Sequence, residues 1–258
     1  MARFCPLFSG SSGNCLYIGS ADGGILIDAG VSARRIEKAL AAREIDPRSI
    51  RGIFVTHEHS DHTAGLRVLA KRYGTPIYAS AGTRQALLDG GTVDECRLWD
   101  ETDLGNMSVT AFHTSHDCRE STGYCVTLSD DRRIGVATDL GVMTDEVREA
   151  LAGCDLVHIE SNHDVRMLEN GPYPYPLKQR ILSDRGHLSN EACATELPRL
   201  LERGTTRVFL GHLSRENNLP MLAQATAAAE LAACGAQEGR DYLLWVAPPE
   251  NGEPTYVF

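Results

Sequence analysis

Three imidazoles and two carboxylates fall within six residues, His57-Glu58-His59-Ser60-Asp61-His62, directly after the apolar run Gly52-Ile53-Phe54-Val55-Thr56. A short apolar run of this kind reads as a buried strand, which leaves the histidines on a loop at its end. Core packing has no use for so many polar rings in one place. Imidazole and carboxylate are donors that zinc, iron and manganese share. His57 and His59 alternate and can face one ion, while Asp61 and His62 stand further round the turn and can face a second. One ion could not take all four from so short a loop. Any fold for this chain must therefore present a strand end with room for metals and for the missing ligands.

Composition narrows the partners. The 258 residues carry 35 Asp and Glu against 25 Lys and Arg, a formal net charge of -10 with neutral histidines. Such a chain has no broad basic groove for nucleic acid. Nucleic acid could be met only locally, by metals, loop amides and a few basic side chains. The segment between His163 and His187 is relatively basic at +1, with Arg166, Lys178, Arg180 and Arg185 against Asp164, Glu169 and Asp184. The first residues, Met1-Ala2-Arg3-Phe4-Cys5-Pro6, lack the apolar run of a signal peptide. The Ala-rich stretch from Leu222 to Cys234 is broken by Gln224, Thr226 and Glu230, so it reads as an amphipathic helix and not a membrane span. Eight cysteines without a C-x-x-C pair suggest reduced thiols in the cytoplasm. Among them Cys118 stands beside a suspected ligand.

Periodicity supplies the scaffold. Leu16–Ile18 and Gly24–Ile27 flank Asp22-Gly23, a hairpin signal. A helix is expected over 32–43 with Ile36 and Leu40 on one face, and others near 65–73, 83–88, 145–151, from 190 onward and through the Ala-rich stretch. Strands are expected at 52–56, 77–79, 109–112, 124–128, 134–137, 156–160, 207–210 and, last, 242–246. The Ser9–Asn14 loop reads as small and flexible. Pro172-Tyr173-Pro174-Tyr175-Pro176 reads as a stiff loop or a platform on which bases stack. Two sheets sandwiched between helices in one domain spanning 1–258 follow from this order.

H-x-H-x-D-H after a buried strand resembles the metallo-β-lactamase fold superfamily, and further motifs of that family occur in order. They are Asp28 in Ile27-Asp28-Ala29-Gly30, His116 in Ser115-His116-Asp117, Asp139 in Thr138-Asp139-Leu140-Gly141 and His212 in Gly211-His212-Leu213. The resemblance implies an α/β fold, a four-layer αββα sandwich of two mixed β-sheets flanked by helices. It also implies two divalent ions, zinc or manganese foremost, with iron also suited. By resemblance His57, His59 and His116 hold one ion, Asp61, His62 and His212 hold the other, Asp139 bridges them, and Asp28 buttresses a ligand histidine from behind. Ser9-Gly10-Ser11-Ser12-Gly13-Asn14, Glu160-Ser161-Asn162-His163-Asp164, Gly186-His187-Leu188-Ser189-Asn190 and the stretch from Gly211 to Asn218 look like the YycJ/WalJ-type branch. That branch is associated with 5′-to-3′ DNA exonuclease activity, so the implied partner is DNA with a 5′ phosphate. Glu160 and His187 also resemble the glutamate–histidine pair outside the metals in tRNase Z.

The implied chemistry is phosphodiester hydrolysis by a metal-bridging hydroxide. Asp61 and Asp139 serve the metals, and His187, oriented by Glu160, meets the scissile phosphate or the leaving oxygen. The motifs offer Ser9, Ser11, Ser12, Asn14, Asn162, His163, Arg185, Ser189, Asn190 and Arg215 as substrate contacts. His163 reads equally as a turn residue. His113 lies three residues before His116, and on one strand the two would face opposite ways, so His113 is expected at a strand edge or in a polar core contact. His158, inside an apolar strand, reads as a hydrogen-bonded buried histidine. Glu58 and Ser60 are expected to orient the ligand loop. Alternatives stay open: hydrolysis of a small cyclic or nucleotide diester, a glyoxalase-type thioesterase, an iron oxidoreductase, or a non-catalytic metal-binding regulator.

Overall fold

The computed structural model describes residues 1–99 and 102–258. Strands β1 (Arg3–Phe8), β2 (Cys15–Ser20), β3 (Gly23–Ile27), β4 (Ile50–Phe54), β5 (Ile77–Ala79) and β6 (Arg97–Leu98) lie side by side in chain order. A second sheet holds β7 (Thr102–Asp103), β8 (Met107–His113), β9 (Thr122–Leu128), β10 (Arg133–Ala137), β11 (Leu156–Glu160), β12 (Arg207–Gly211) and β13 (Leu243–Val246). The last strand, β14 (Tyr256–Val257), returns to the first sheet beside β1. Both sheets are mixed. Pairing is antiparallel from β14 to β3 and parallel from β3 to β6, and antiparallel from β7 to β10 and parallel from β10 to β13.

Alternation along each strand builds three apolar layers. Ile53 faces outward from the first sheet and packs in a cluster with Ile36, Leu40, Leu66, Leu69 and Leu87. These come from α1 (Ala33–Ala41), α3 (Leu66–Tyr73) and α4 (Ala81–Asp89), with the short α2 (Ser60–Thr63) in the histidine loop. Its neighbour Phe54 turns inward to a cluster shared by both sheets, with Phe4, Ile18, Tyr124 and Phe209. On the outer face of the second sheet, Val157 and Leu210 pack with Val147 of α5 (Asp145–Leu151). Beyond α6 (Val165–Asn170) and α7 (Tyr175–Ile181), helices α8 (Asn190–Glu202) and α9 (Pro220–Ala233) add Leu197 and Leu231 to that layer. Full burial of each such side chain contributes about 1.5–3 kcal/mol. The expected hairpin forms at Asp22-Gly23, where Gly23 takes φ 114° and a side chain would strike the Ser49 carbonyl.

Three expectations are corrected. The strand at 243–246 is not the last, because β14 forms beyond it on the ladder that β1 offers. The Pro/Tyr-rich stretch is only partly a loop: α7 begins at Tyr175, with Pro176 in the first turn where its missing N–H costs no hydrogen bond. Finally, His158 is buried against Phe4, ring centroids 5.8 Å apart, but its Nδ1 has no hydrogen-bond partner among the described residues. Burial pushes His158 down to about 3. Its folded form thus resists protonation while the unfolded chain takes a proton below its ordinary value of 6.5. Stability is therefore lost as pH falls from 6.5 towards 3, by about 2 kcal/mol between pH 7 and 5. Urea unfolding at both pH values should show this increment in the parent and its loss in His158→Leu. An unchanged pH slope in the variant would count against His158 as the group responsible.

Candidate metal centre

Every candidate ligand follows the end of a strand. Asp28 succeeds β3, the loop from His57 to His62 succeeds β4, His116 lies beyond β8, Asp139 succeeds β10 and His212 succeeds β12, while Glu160 closes β11. Parallel strands direct their carboxyl ends to one edge, so distant stretches of sequence converge there. The backbone is strained at three of these points: Asp28, Asp139 and His212 hold φ values of 63°, 56° and 54°. Non-glycine residues rarely adopt that region, and such strain concentrates at functional sites.

The side chains meet in four overlapping groups, one of them Asp139 with Glu160, His187 and His212. Donor atoms of His57, His59 and His116 lie within 4.8 Å of one another, as do those of Asp61, His62 and His212, and Asp139 joins His57 and His62 on the same criterion. His62 Nε2 is 3.6 Å from Asp61 and 3.4 Å from Asp139. His116 Nε2 is 3.8 Å from the other oxygen of Asp139. Asp139 Oδ2 and His212 Nε2 are buried and find no hydrogen-bond partner among the described residues. Orphaned buried donor atoms of this kind, on residues that share one cluster of imidazole and carboxylate groups, fit a divalent cation.

In four of the five ligand histidines, His57, His62, His116 and His212, Nδ1 is held from behind. His62 Nδ1 donates to Asp28 at 2.7 Å, and Asp28 also accepts from Thr56 N and Oγ1. Thr56 Oγ1 accepts from His57 Nδ1 at 3.0 Å, the Gly186 carbonyl from His116 Nδ1 at 3.0 Å, and Glu160 Oε1 from His212 Nδ1 at 2.7 Å. Such partners fix ring orientation and raise ligand basicity. Charges follow the same design. Burial opposes ionisation of Asp139, but His212, His62, His57 and His116 outweigh it and hold the carboxyl well below its usual range. At His62 burial is outweighed by Asp28, Asp139 and Asp61, which raise it to about 10. His57, buried among imidazoles, is held well below its ordinary value.

The description "Beta-lactamase superfamily domain" fits residues 24–213. The chain belongs to that superfamily. It is 37% identical over 260 residues to exodeoxyribonuclease WalJ of Streptococcus pneumoniae, covering 98% of this chain and 96% of that one. It is also 36% identical over 261 residues to exodeoxyribonuclease YycJ of Bacillus anthracis, covering 99% and 98%. The metallo-beta-lactamase fold protein YhfI of Bacillus subtilis superposes with a TM-score of 0.70 at 14% identity, over 97% of this chain and 98% of that one. The two helix-flanked sheets are thus the αββα sandwich of the metallo-β-lactamase fold, and its His/Asp clusters suit divalent metal.

Within this superfamily chain the candidate substrate residues separate. The Ser9–Asn14 loop is anchored at both ends, with Ser11 and Ser12 exposed between them. Ser9 Oγ accepts from His212 N at 2.9 Å, Asn14 Nδ2 lies 3.0 Å from His62 Nε2, and Asn14 N donates to Asp61 O. Gly30 makes this approach possible, since a Cβ there would sit 1.6 Å from the Asp61 carbonyl oxygen. Ser11 and Asn162 line a cavity of ≈ 390 Å³ over the histidines, and Ser12 accepts from Arg215 at 2.8 Å. His163 and Asn190 are buried and do not line that cavity; Asn190 bonds Ser161 and Asn218. Ser189 caps α8 through Ala192 N. Arg185 grips the His116 and Cys118 carbonyls and lines an adjoining cavity instead. Cys118 lies there too, its thiol pushed up to about 11 by burial. His113 is exposed and paired with Glu120 and Glu146. Because β8 ends at residue 113, strand alternation never reached His116. Glu58 accepts from Arg119 N and so ties down the ligand loop.

Two features were read only in part from the sequence. Glu160 Oε1 accepts from His187 Nδ1 at 2.9 Å as well as from His212, so one carboxylate holds both rings. The cavity also has a roof, where Tyr173, Leu177 and Arg180 face the histidines. Its sequence signals were the excess of basic residues between His163 and His187 and the Pro172–Pro176 stretch, read as a stiff loop or a stacking platform.

Proposed function

We propose that this chain is a two-metal phosphodiesterase acting as a 5′-to-3′ DNA exonuclease on 5′-phosphorylated ends, working in the cytoplasm as one domain. The observation that carries the chemistry is Asp139, set between two groups of imidazole and carboxylate donors with one oxygen lacking a hydrogen bond among the described residues. Identity of 36–37% to named exodeoxyribonucleases over nearly the whole chain supports DNA as the substrate. No helix among the described residues is long and apolar enough to cross a membrane.

His57, His59 and His116 would hold one ion, Asp61, His62 and His212 the other, with Asp139 shared. Zinc or manganese suits this donor set best. When bound, the pair supplies an acidified water and positive charge for the phosphate oxygens. The chain's own groups do the rest. Asp28 and Glu160 keep the outward nitrogens of His62 and His212 aimed at the centre. Glu160 Oε1 accepts the hydrogen bond from His187 Nδ1, which leaves Nε2 for the cavity; in the doubly protonated ring Nδ1 keeps its proton and Nε2 donates to an oxygen of the scissile phosphate.

The test strips the protein with chelator, then assays it with each metal restored on 5′-phosphorylated DNA, RNA, cyclic nucleotides and a glutathione thioester. Expected are about two equivalents of metal in the loaded protein, a lower Tm after stripping, and mononucleotides released from the 5′ end of DNA. Turnover of the thioester or the cyclic nucleotide with DNA left intact would overturn the reading.

A further inference from the structure

The roof of the cavity is not needed to hold metal, and its chemistry is specific. Among the described residues lining the cavity, Arg180 is the single Arg or Lys, and Tyr173 the single aromatic other than histidine. Arg180 sits on α7 with its side chain about half exposed. Its guanidinium forms a forked pair with Asp117, Nη2 donating to Oδ1 at 3.0 Å and Nε donating to Oδ2. Asp117 Oδ1 in turn lies 3.4 Å from His116 Nε2. The fork is therefore held beside the candidate metal centre in the bidentate geometry with which guanidinium takes a phosphate. Tyr173 stands between Pro172 and Pro174, whose fixed φ angles give it a stiff mount. A cavity of ≈ 390 Å³ falls in the range of small-molecule pockets, roughly 300–1,000 Å³. That is room for one nucleotide and not for a duplex.

We propose that Arg180 and Tyr173 seat the terminal nucleotide of a DNA strand, Arg180 leaving Asp117 for a backbone phosphate while Tyr173 stacks on the base. The inference rests on the exonuclease reading and deepens it. Neither contact distinguishes one base from another, because every base offers a π-face. The end must leave its duplex partner to enter, so a frayed or single-stranded end is the preferred substrate. The rival role for Arg180 is purely structural, tying α7 to the 115–118 loop.

Metal-loaded parent, Arg180→Ala, Arg180→Lys, Tyr173→Ala and Tyr173→Phe should be compared on a 5′-phosphorylated single-stranded oligonucleotide of mixed sequence. KM and kcat are measured across 50 to 200 mM salt. Arg180→Ala should raise KM about tenfold and make the plot of log kcat/KM against log salt shallower by about 0.7, the share of one phosphate on a single strand. Arg180→Lys should keep the slope. Tyr173→Ala should raise KM about tenfold with the slope unchanged, and Tyr173→Phe should restore it. A parent that cleaves DNA beside variants with parental KM and slope would sink the nucleotide seat and leave the exonuclease reading standing. Altered Tm and kcat at an unchanged slope in Arg180→Ala would assign the structural role instead. A parent that cleaves no DNA sinks both.

Discussion

Asp139→Asn should lower kcat on DNA at least about 1,000-fold, some 4 kcal/mol of barrier, and leave the purified protein short of its full metal. Asparagine is the informative replacement. It keeps the shape, and it tolerates the left-handed φ of 56° that position 139 requires, so the fold should survive with an unchanged far-UV spectrum. What it removes is the charge that four buried histidines hold anionic. It also replaces one carboxylate oxygen with an N–H₂ that no cation accepts. Metal content by mass spectrometry and turnover should fall together. Full metal loading with kcat within tenfold of the parent would remove Asp139 from the centre.

The ligand loop was legible because its chemistry is local. Four donors in six residues after an apolar run suit a metal site far better than a packed core, and the strands and helices that frame them carry their own periodicity. Legibility faded wherever a neighbour in space decided the outcome. β14 is two residues long and exists because Arg3 and Phe4 offer Val257 and Tyr256 a ladder. His113 and His116 were treated as one strand, but β8 ends between them. The Ser9–Asn14 loop has the composition of a flexible linker, yet its ends are held by contacts to residues 61, 62 and 212, which no local pattern encodes. Asp117 adjoins His116 in sequence, but its partner Arg180 lies 63 positions away. His163 and Asn190 looked like site residues because they sit in polar strings beside Glu160 and His187; in the structure they face inward instead.

Glu160→Gln should be nearly as damaging as the loss of Asp139, for a different reason. The Glu160 side chain is fully buried, and each of its oxygens accepts two hydrogen bonds. Oε1 takes His187 Nδ1 and His212 Nδ1, and Oε2 takes Leu140 N and Leu188 N at 3.0 and 3.1 Å. A glutamine must turn its N–H₂ toward one of these pairs, setting donor against donor, at a cost of about 1–3 kcal/mol per group left unpaired. Acid stability carries the same signature. Burial opposes ionisation of Glu160, yet His187 and His212 hold its carboxyl down to about 2 from an ordinary 4.5. That stability is fully present above pH 4.5 and is lost as pH falls towards 2. The gap between parent and variant should therefore narrow over that window. Activity divides into two parts. Weaker support of His212 should cost about 10–100-fold in metal affinity, which excess metal recovers. A misaligned His187 should cost a further 100-fold or more in kcat, which excess metal does not recover. Adding His187→Ala to Glu160→Gln should then cost little more, because the two residues act as a unit. Full recovery of kcat by metal alone would confine Glu160 to the metal centre and leave His187 to be oriented by other groups.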